Sequence, residues 1–95
     1  MTLSDLRAVL GALIERYPKA SLRRVVAGGD KIDIEATGFR CTVRRARPSD
    51  GAVGDWIATA SVDGTPSPPL EEGSAEAAAV RAVNRAAHLA ARAKR

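Results

Sequence analysis

Rings, thiols and imidazoles are scarce in this chain: its 95 residues include one Tyr, one Phe, one Trp, one Cys and one His. Phe39 and Trp56 alternate with polar neighbours and read as core, so a sheet that stacks single-stranded bases is disfavoured. A single cysteine excludes an intramolecular disulfide and favours a reducing compartment. One Cys and one His also remove most metal sites and most nucleophilic triads, so neither an enzyme, a metal nor a cofactor is expected. No run approaches the roughly 20 apolar residues that cross a bilayer. Charges at Asp5, Arg7, Glu15 and Arg16 interrupt the first sixteen positions, which excludes a signal peptide there. The expected location is the cytoplasm, with no membrane partner.

What is present is an ordinary globular composition, 45% hydrophobic and 27% charged. Its length makes one domain over residues 1–95. Leu3, Leu6, Val9, Leu10, Leu13, Ile14 and Tyr17 recur at steps of three and four. That stripe predicts a helix from about Ser4 to Arg16, with Thr2 and Asp5 at capping-box spacing and Pro18 as its stop. The period then changes to two. Ile32, Ile34 and Ala36 alternate with Lys31, Asp33 and Glu35, and Phe39, Cys41 and Val43 with Arg40, Thr42 and Arg44. Only Thr37 and Gly38 separate the runs, so a tight hairpin pairs Ala36 with Phe39, Ile34 with Cys41, Ile32 with Val43 and Glu35 with Arg40.

A third strand is predicted over Trp56–Val62, with Trp56, Ala58, Ala60 and Val62 inward and Ile57, Thr59 and Ser61 opposite. Leu22–Ala27 alternates poorly and reads equally as a strand or a connector. Pro48–Asp55 reads as a mobile loop, and Asp63–Glu72, with its prolines, as a loop across the surface. Ser74 is a good N-cap for a last helix running to about Ala93, whose inner side is Ala79, Ala82, Val83, Ala86, Ala87 and Ala90. The expected fold is α+β: an antiparallel sheet of three or four strands with both helices packed on one face, a two-layer sandwich.

Charge is placed unevenly. Residues 74–95 hold Arg81, Arg85, Arg92, Lys94 and Arg95 against Glu76, which accounts for the whole net charge of +4. Residues 1–73 sum to zero. Arg81, Arg85, His88, Arg92 and Arg95 fall within about 80° of arc along roughly 21 Å of helix, on the side opposite the alanines. A second cluster, Arg40, Arg44, Arg45 and Arg47, has no acid within it, and Arg40 and Arg44 are expected on the sheet face away from the helices. Such rows suit phosphates or an acidic protein surface, although solvation alone also asks for polar residues on a wet helix face. Cys41 reads as a small core residue rather than a nucleophile, and His88 has no second ligand at metal-binding spacing.

The order helix, strands, helix, with an alanine-rich last helix opened by Ser74, resembles the double-stranded RNA-binding domain. That resemblance implies an α-β-β-β-α sandwich and phosphate contacts from the start of the last helix. The family places lysines after the serine, whereas Ala75, Glu76, Ala77 and Ala78 follow Ser74 here. Trp56–Val62, Gly64–Pro69 and Gly73-Ser74-Ala75-Glu76-Ala77 also resemble, in order, the HicB-like antitoxin domains. The expected function is a non-catalytic module that binds nucleic-acid phosphates through Arg81, Arg85, His88, Arg92 and Arg95, with Arg40, Arg44, Arg45 and Arg47 in support. The alternative is a protein-interaction module, a dimerising regulator or inhibitor, using the open sheet face or the basic helix against an acidic partner. Homodimerisation is compatible with either.

Overall fold

The computed structural model describes residues 3–51 and 54–93. Its centre is the hairpin of β2 (Lys31–Ala36) and β3 (Phe39–Arg45), paired as Ala36–Phe39, Glu35–Arg40, Ile34–Cys41 and Ile32–Val43. Gly38 takes φ 90° in the two-residue turn, a conformation that glycine enters without steric cost. β4 (Trp56–Val62) pairs antiparallel with β3, setting Ala60 beside Cys41, Ala58 beside Val43 and Trp56 beside Arg45. The alternation predicted for all three strands is observed. Ile32, Ile34, Cys41, Val43 and Ala58 are fully buried on one face.

Leu22–Gly28 is a strand, β1, paired with β2 through a two-residue turn at Gly29 and Asp30. The register slips between Leu22 and Arg24, so Arg23 is a bulge. That extra residue shifts the phase of alternation, which is why the strand pattern is blurred in the sequence.

The segment 63–72 departs from the expected loop. Asp63 (φ 50°) and Gly64 (φ 82°) make a two-residue hairpin turn with both residues left-handed, as tight hairpins require. Two short strands, β5 (Thr65–Pro66) and β6 (Leu70–Glu72), then pair with β4 one after the other. Ser67 bridges the gap between them. Its Oγ accepts from the Ala60 N–H at 3.0 Å, and its own N–H donates to the Ala60 carbonyl at 2.7 Å. The prolines interrupt the strand without abolishing it, because a side chain takes over one ladder bond.

The stretch expected as a mobile loop opens instead with a 3-10 turn, Pro48–Asp50, which Arg44 grips on the open face of the sheet. Ile57 points to that same face beside Arg44 and is nevertheless buried.

The two helices cover the other face. α1 (Leu3–Arg16) sends Val9 and Leu13 into the core, and α2 (Ala75–Ala93) lies over β3 and β4. Ala78, Ala79, Ala82 and Ala86 are fully buried, and such small side chains let the α2 axis approach the sheet closely. Tyr17, after α1, tilts against Phe39 with ring centroids 5.1 Å apart, a favoured aromatic arrangement. The fold is therefore the expected α+β sandwich, with four long strands and two short ones among the described residues. Thr2, the expected partner in the first cap, lies outside the described residues.

Candidate polyanion interface

α2 begins where Ser74 Oγ accepts from the Ala77 N–H at 3.1 Å, a capping bond on one of the otherwise orphaned donors of the first turn. Its buried residues are Ala75, Ala78, Ala79, Ala82, Val83, Ala86 and Ala90. At about 100° per residue these occupy an arc of about 140°, and the row Arg81, Arg85, His88 and Arg92 starts about 20° beyond its edge. The row thus lies on a flank of the helix instead of directly opposite the alanines, because Ala75 and Ala78 widen the buried arc on that side.

Two contacts identify what each flank faces. Arg16 Nε at the end of α1 donates to Asn84 Oδ1 at 2.7 Å, so the Asn84 side of α2 faces α1. Arg81 Nη1 donates to the Glu71 carbonyl and to Glu72 Oε1, both at 3.2 Å, so the arginine flank faces away from α1 towards β6. Beyond Arg81, the side chains of Arg85, His88 and Arg92 are exposed, and no carboxylate among the described residues pairs with them. Arg95, the last of the expected row, lies outside the described residues.

The second basic cluster is divided by the sheet and largely neutralised. Arg40 stands 3.6 Å from Asp33 on the open face. Arg44, on the same face, holds Asp50 with two bonds, Nη1 to Oδ2 at 2.8 Å and Nη2 to Oδ1 at 3.0 Å. Arg45 points the other way: its guanidinium lies 4.7 Å from the Trp56 ring centre and its Nε 3.8 Å from Asp30. The ring contact is of the cation–π kind. The Arg47 N–H donates to Asp50 Oδ2 at 2.6 Å, and its side chain is exposed. Arg40 and Arg44 therefore do not share a surface with the α2 row, whereas Arg45 stands on the helix side next to Trp56, whose other neighbour is the Glu72 that Arg81 holds. Arg24, Lys31, Asp33, Glu35, Arg40 and Arg44 mix both signs across the open face, which is a poor attractor for a polyanion.

These neutralising pairs were not visible from the sequence. Arg44 and Asp50 are six residues apart across a loop, and Arg81 and Glu72 nine apart across a helix start. The one available signal was the acid-rich approach to α2, Glu71-Glu72, next to a basic helix.

Cys41 sits in the core as expected, and burial pushes its thiol up to about 12, far from the thiolate a nucleophile needs. No group of three or more His, Cys, Asp or Glu residues is placed to hold a metal ion among the described residues. No helix among them is long and apolar enough to cross a membrane.

No family model matches the chain, and no curated protein or solved structure is significantly similar to it. The α-β-β-β-β-α order of the long elements identifies neither the RNA-binding domain nor the antitoxin family by itself.

Proposed function

We propose that the protein is a cytoplasmic, non-catalytic module that binds a polyanion, nucleic-acid phosphates in the first instance, through the outer flank of α2. One observation carries this reading: Arg85, His88 and Arg92 form an exposed row without carboxylate partners among the described residues, while Arg40, Arg44, Arg45 and Arg81 are each paired with an acid. The last helix, which carries the net charge of the sequence, thus keeps an unpaired cationic row on this flank. The row from Arg85 to Arg92 extends about 10 Å along the helix, about the rise of three base pairs along a duplex axis. Contacts of this kind read the backbone, so binding is weakly sequence-dependent and strongly salt-dependent.

Fluorescence anisotropy with short double-stranded RNA, double-stranded DNA and single strands, repeated over a salt series, tests the proposal. Binding that weakens steeply with salt, and that an Arg85→Glu/Arg92→Glu variant abolishes, supports it. Absence of binding at low salt, or full affinity in the double variant, rejects it. Arg81 is left unchanged in that variant because its bond to Glu72 also ties α2 to β6.

A further inference from the structure

The two edges of the sheet are built differently. On the β5–β6 side, Pro66, Pro68 and Pro69 break the edge into short pieces, a common defence against unwanted strand pairing. On the other side β1 runs for seven residues, all exposed, and no strand among the described residues pairs with its outer edge. Gly28 faces Lys31 across the Gly29-Asp30 turn. Alternation along that ladder aims the N–H and C=O groups of Arg24 and Val26 at β2, and those of Val25 and Ala27 outward. The free edge therefore presents a run of unused backbone donors and acceptors.

That edge is also apolar. Among the described residues, Leu22, Val25 and Val26 on β1 and Leu3 and Ile14 on α1 are the exposed large hydrophobics, 38–64% exposed. On α1, Leu3, Leu10 and Ile14 share a flank roughly a quarter to a third of a turn around the helix from the buried Val9–Leu13 line. It is opposite to the side from which Arg16 reaches Asn84 of α2. Since α2 lies over β3 and β4, this flank of α1 stands on the β1 side of the helix layer. Leu22 and Val25, paired with the buried Ala36 and Ile34, point to the helix face and form one apolar margin with it, while Val26, paired with Asp33, points to the open face.

We propose that this margin is a homodimer interface, with β1 pairing antiparallel to β1 of a second copy about a two-fold axis at Val25. The chain's own charges select the occupant and the register. With Val25 opposite its own copy, Arg24 faces the partner's Val26, whose neighbour on the next strand is the partner's Asp33. Each Arg24 then has its own Glu35 on one side and, one strand beyond the partner's Val26, the partner's Asp33 on the other. An axis at Arg24 would set two arginines face to face. An axis at Val26 would put Arg24 across from glycine and next to the partner's Lys31. Pairing at Val25 also brings the Leu10–Ile14 flanks of the two α1 helices together above a continuous sheet. The proposal does not depend on nucleic-acid binding, since the α2 row lies at the far side of the helix layer.

Light scattering after size exclusion tests it first: the wild type has twice the 10.0 kDa chain mass. Val25→Pro deletes an outward N–H and leaves the β1–β2 ladder its bonds, while Ile14→Glu charges the apolar flank. Both variants run as monomers with unchanged circular dichroism. Register is read by cysteine pairing, since facing hydrogen-bonded residues lie about 5.5 Å apart at Cα, within disulfide reach. Oxidised Val25→Cys therefore gives a covalent dimer and Val26→Cys does not, with Cys41 buried and out of competition. A wild type that stays monomeric as concentration is raised overturns the proposal. So does a dimer that survives both the proline and the glutamate, or one that crosslinks through residue 26 and not 25.

Discussion

Arg44 and Asp50 form a two-bond pair on the open face of the sheet, 2.8 and 3.0 Å, in which both guanidinium Nη atoms and both carboxylate oxygens take part. The pair links the end of β3 to the 3-10 turn that follows it. An arginine that reads in the sequence as a phosphate ligand is thereby a structural clamp. The same conversion, on a smaller scale, has happened to Arg40, Arg45 and Arg81.

The clamp gives a pH signature. The Arg44 guanidinium, seconded by the Arg47 N–H, holds the Asp50 carboxyl down to about 2, below its ordinary 3.8. A carboxyl lowered in the folded state stabilises above its unfolded pKa, and that contribution disappears as pH falls through the folded value. Asp50→Asn therefore lowers the urea midpoint at neutral pH by a small amount, and the gap to wild type closes between about pH 4 and about pH 2. Urea unfolding of both proteins at pH 7, 4 and 2 measures this. A gap independent of pH would assign the loss to packing.

The alanine face of α2 predicts intolerance to size. Ala82 has no exposed surface and sits midway along the face that lies on β3 and β4. Ala82→Leu forces the helix off the sheet and costs about 1–3 kcal/mol, the usual range for overpacking. Ala91 is an exposed position of the same helix. Ala91→Leu shifts stability by no more than about 0.5 kcal/mol. Equal urea midpoints for the two variants would mean that α2 does not pack closely through its alanines.

Much of the fold was legible because burial enforces period. The β2–β3 register could be written from the sequence, since a slip by one residue would turn Ile32, Ile34, Cys41 and Val43 to water. β1 could not, because both its faces are wet and the bulge at Arg23 breaks the alternation that burial would otherwise impose. β5 and β6 were hidden by prolines, although Asp63-Gly64 is a strong hairpin signal in its own right. The basic row was legible as helical spacing. Which of its members remain unpaired was not, because Arg81 meets Glu72 only after the chain has turned from β6 into α2.

Ser67 offers a test of the interrupted edge. Its buried hydroxyl accepts from the Ala60 N–H and donates to the Pro68 carbonyl at 3.0 Å, so it joins β4 to the proline segment. Ser67→Ala leaves the Ala60 N–H without an acceptor in a dry position and costs about 1–3 kcal/mol. Amide hydrogen exchange at Ala60 accelerates accordingly. Unchanged exchange at that amide would show that another acceptor replaces the hydroxyl.

Salt dependence separates arginines that meet phosphates from those that meet carboxylates. If the α2 row binds a duplex, neutralising Arg85 or Arg92 to Gln removes one phosphate contact and reduces the slope of log affinity against log salt by about 1. Arg44→Gln and Arg40→Gln leave the slope as it is, because those guanidinia face Asp50 and Asp33 on the opposite side of the sheet. Arg81→Gln lies between, since the guanidinium must leave Glu72 before it reaches a phosphate. Titrations of the five single variants at four or more salt concentrations give the order directly. Equal slopes for Arg44→Gln and Arg85→Gln would move the binding surface off α2, whatever the affinity of the wild type.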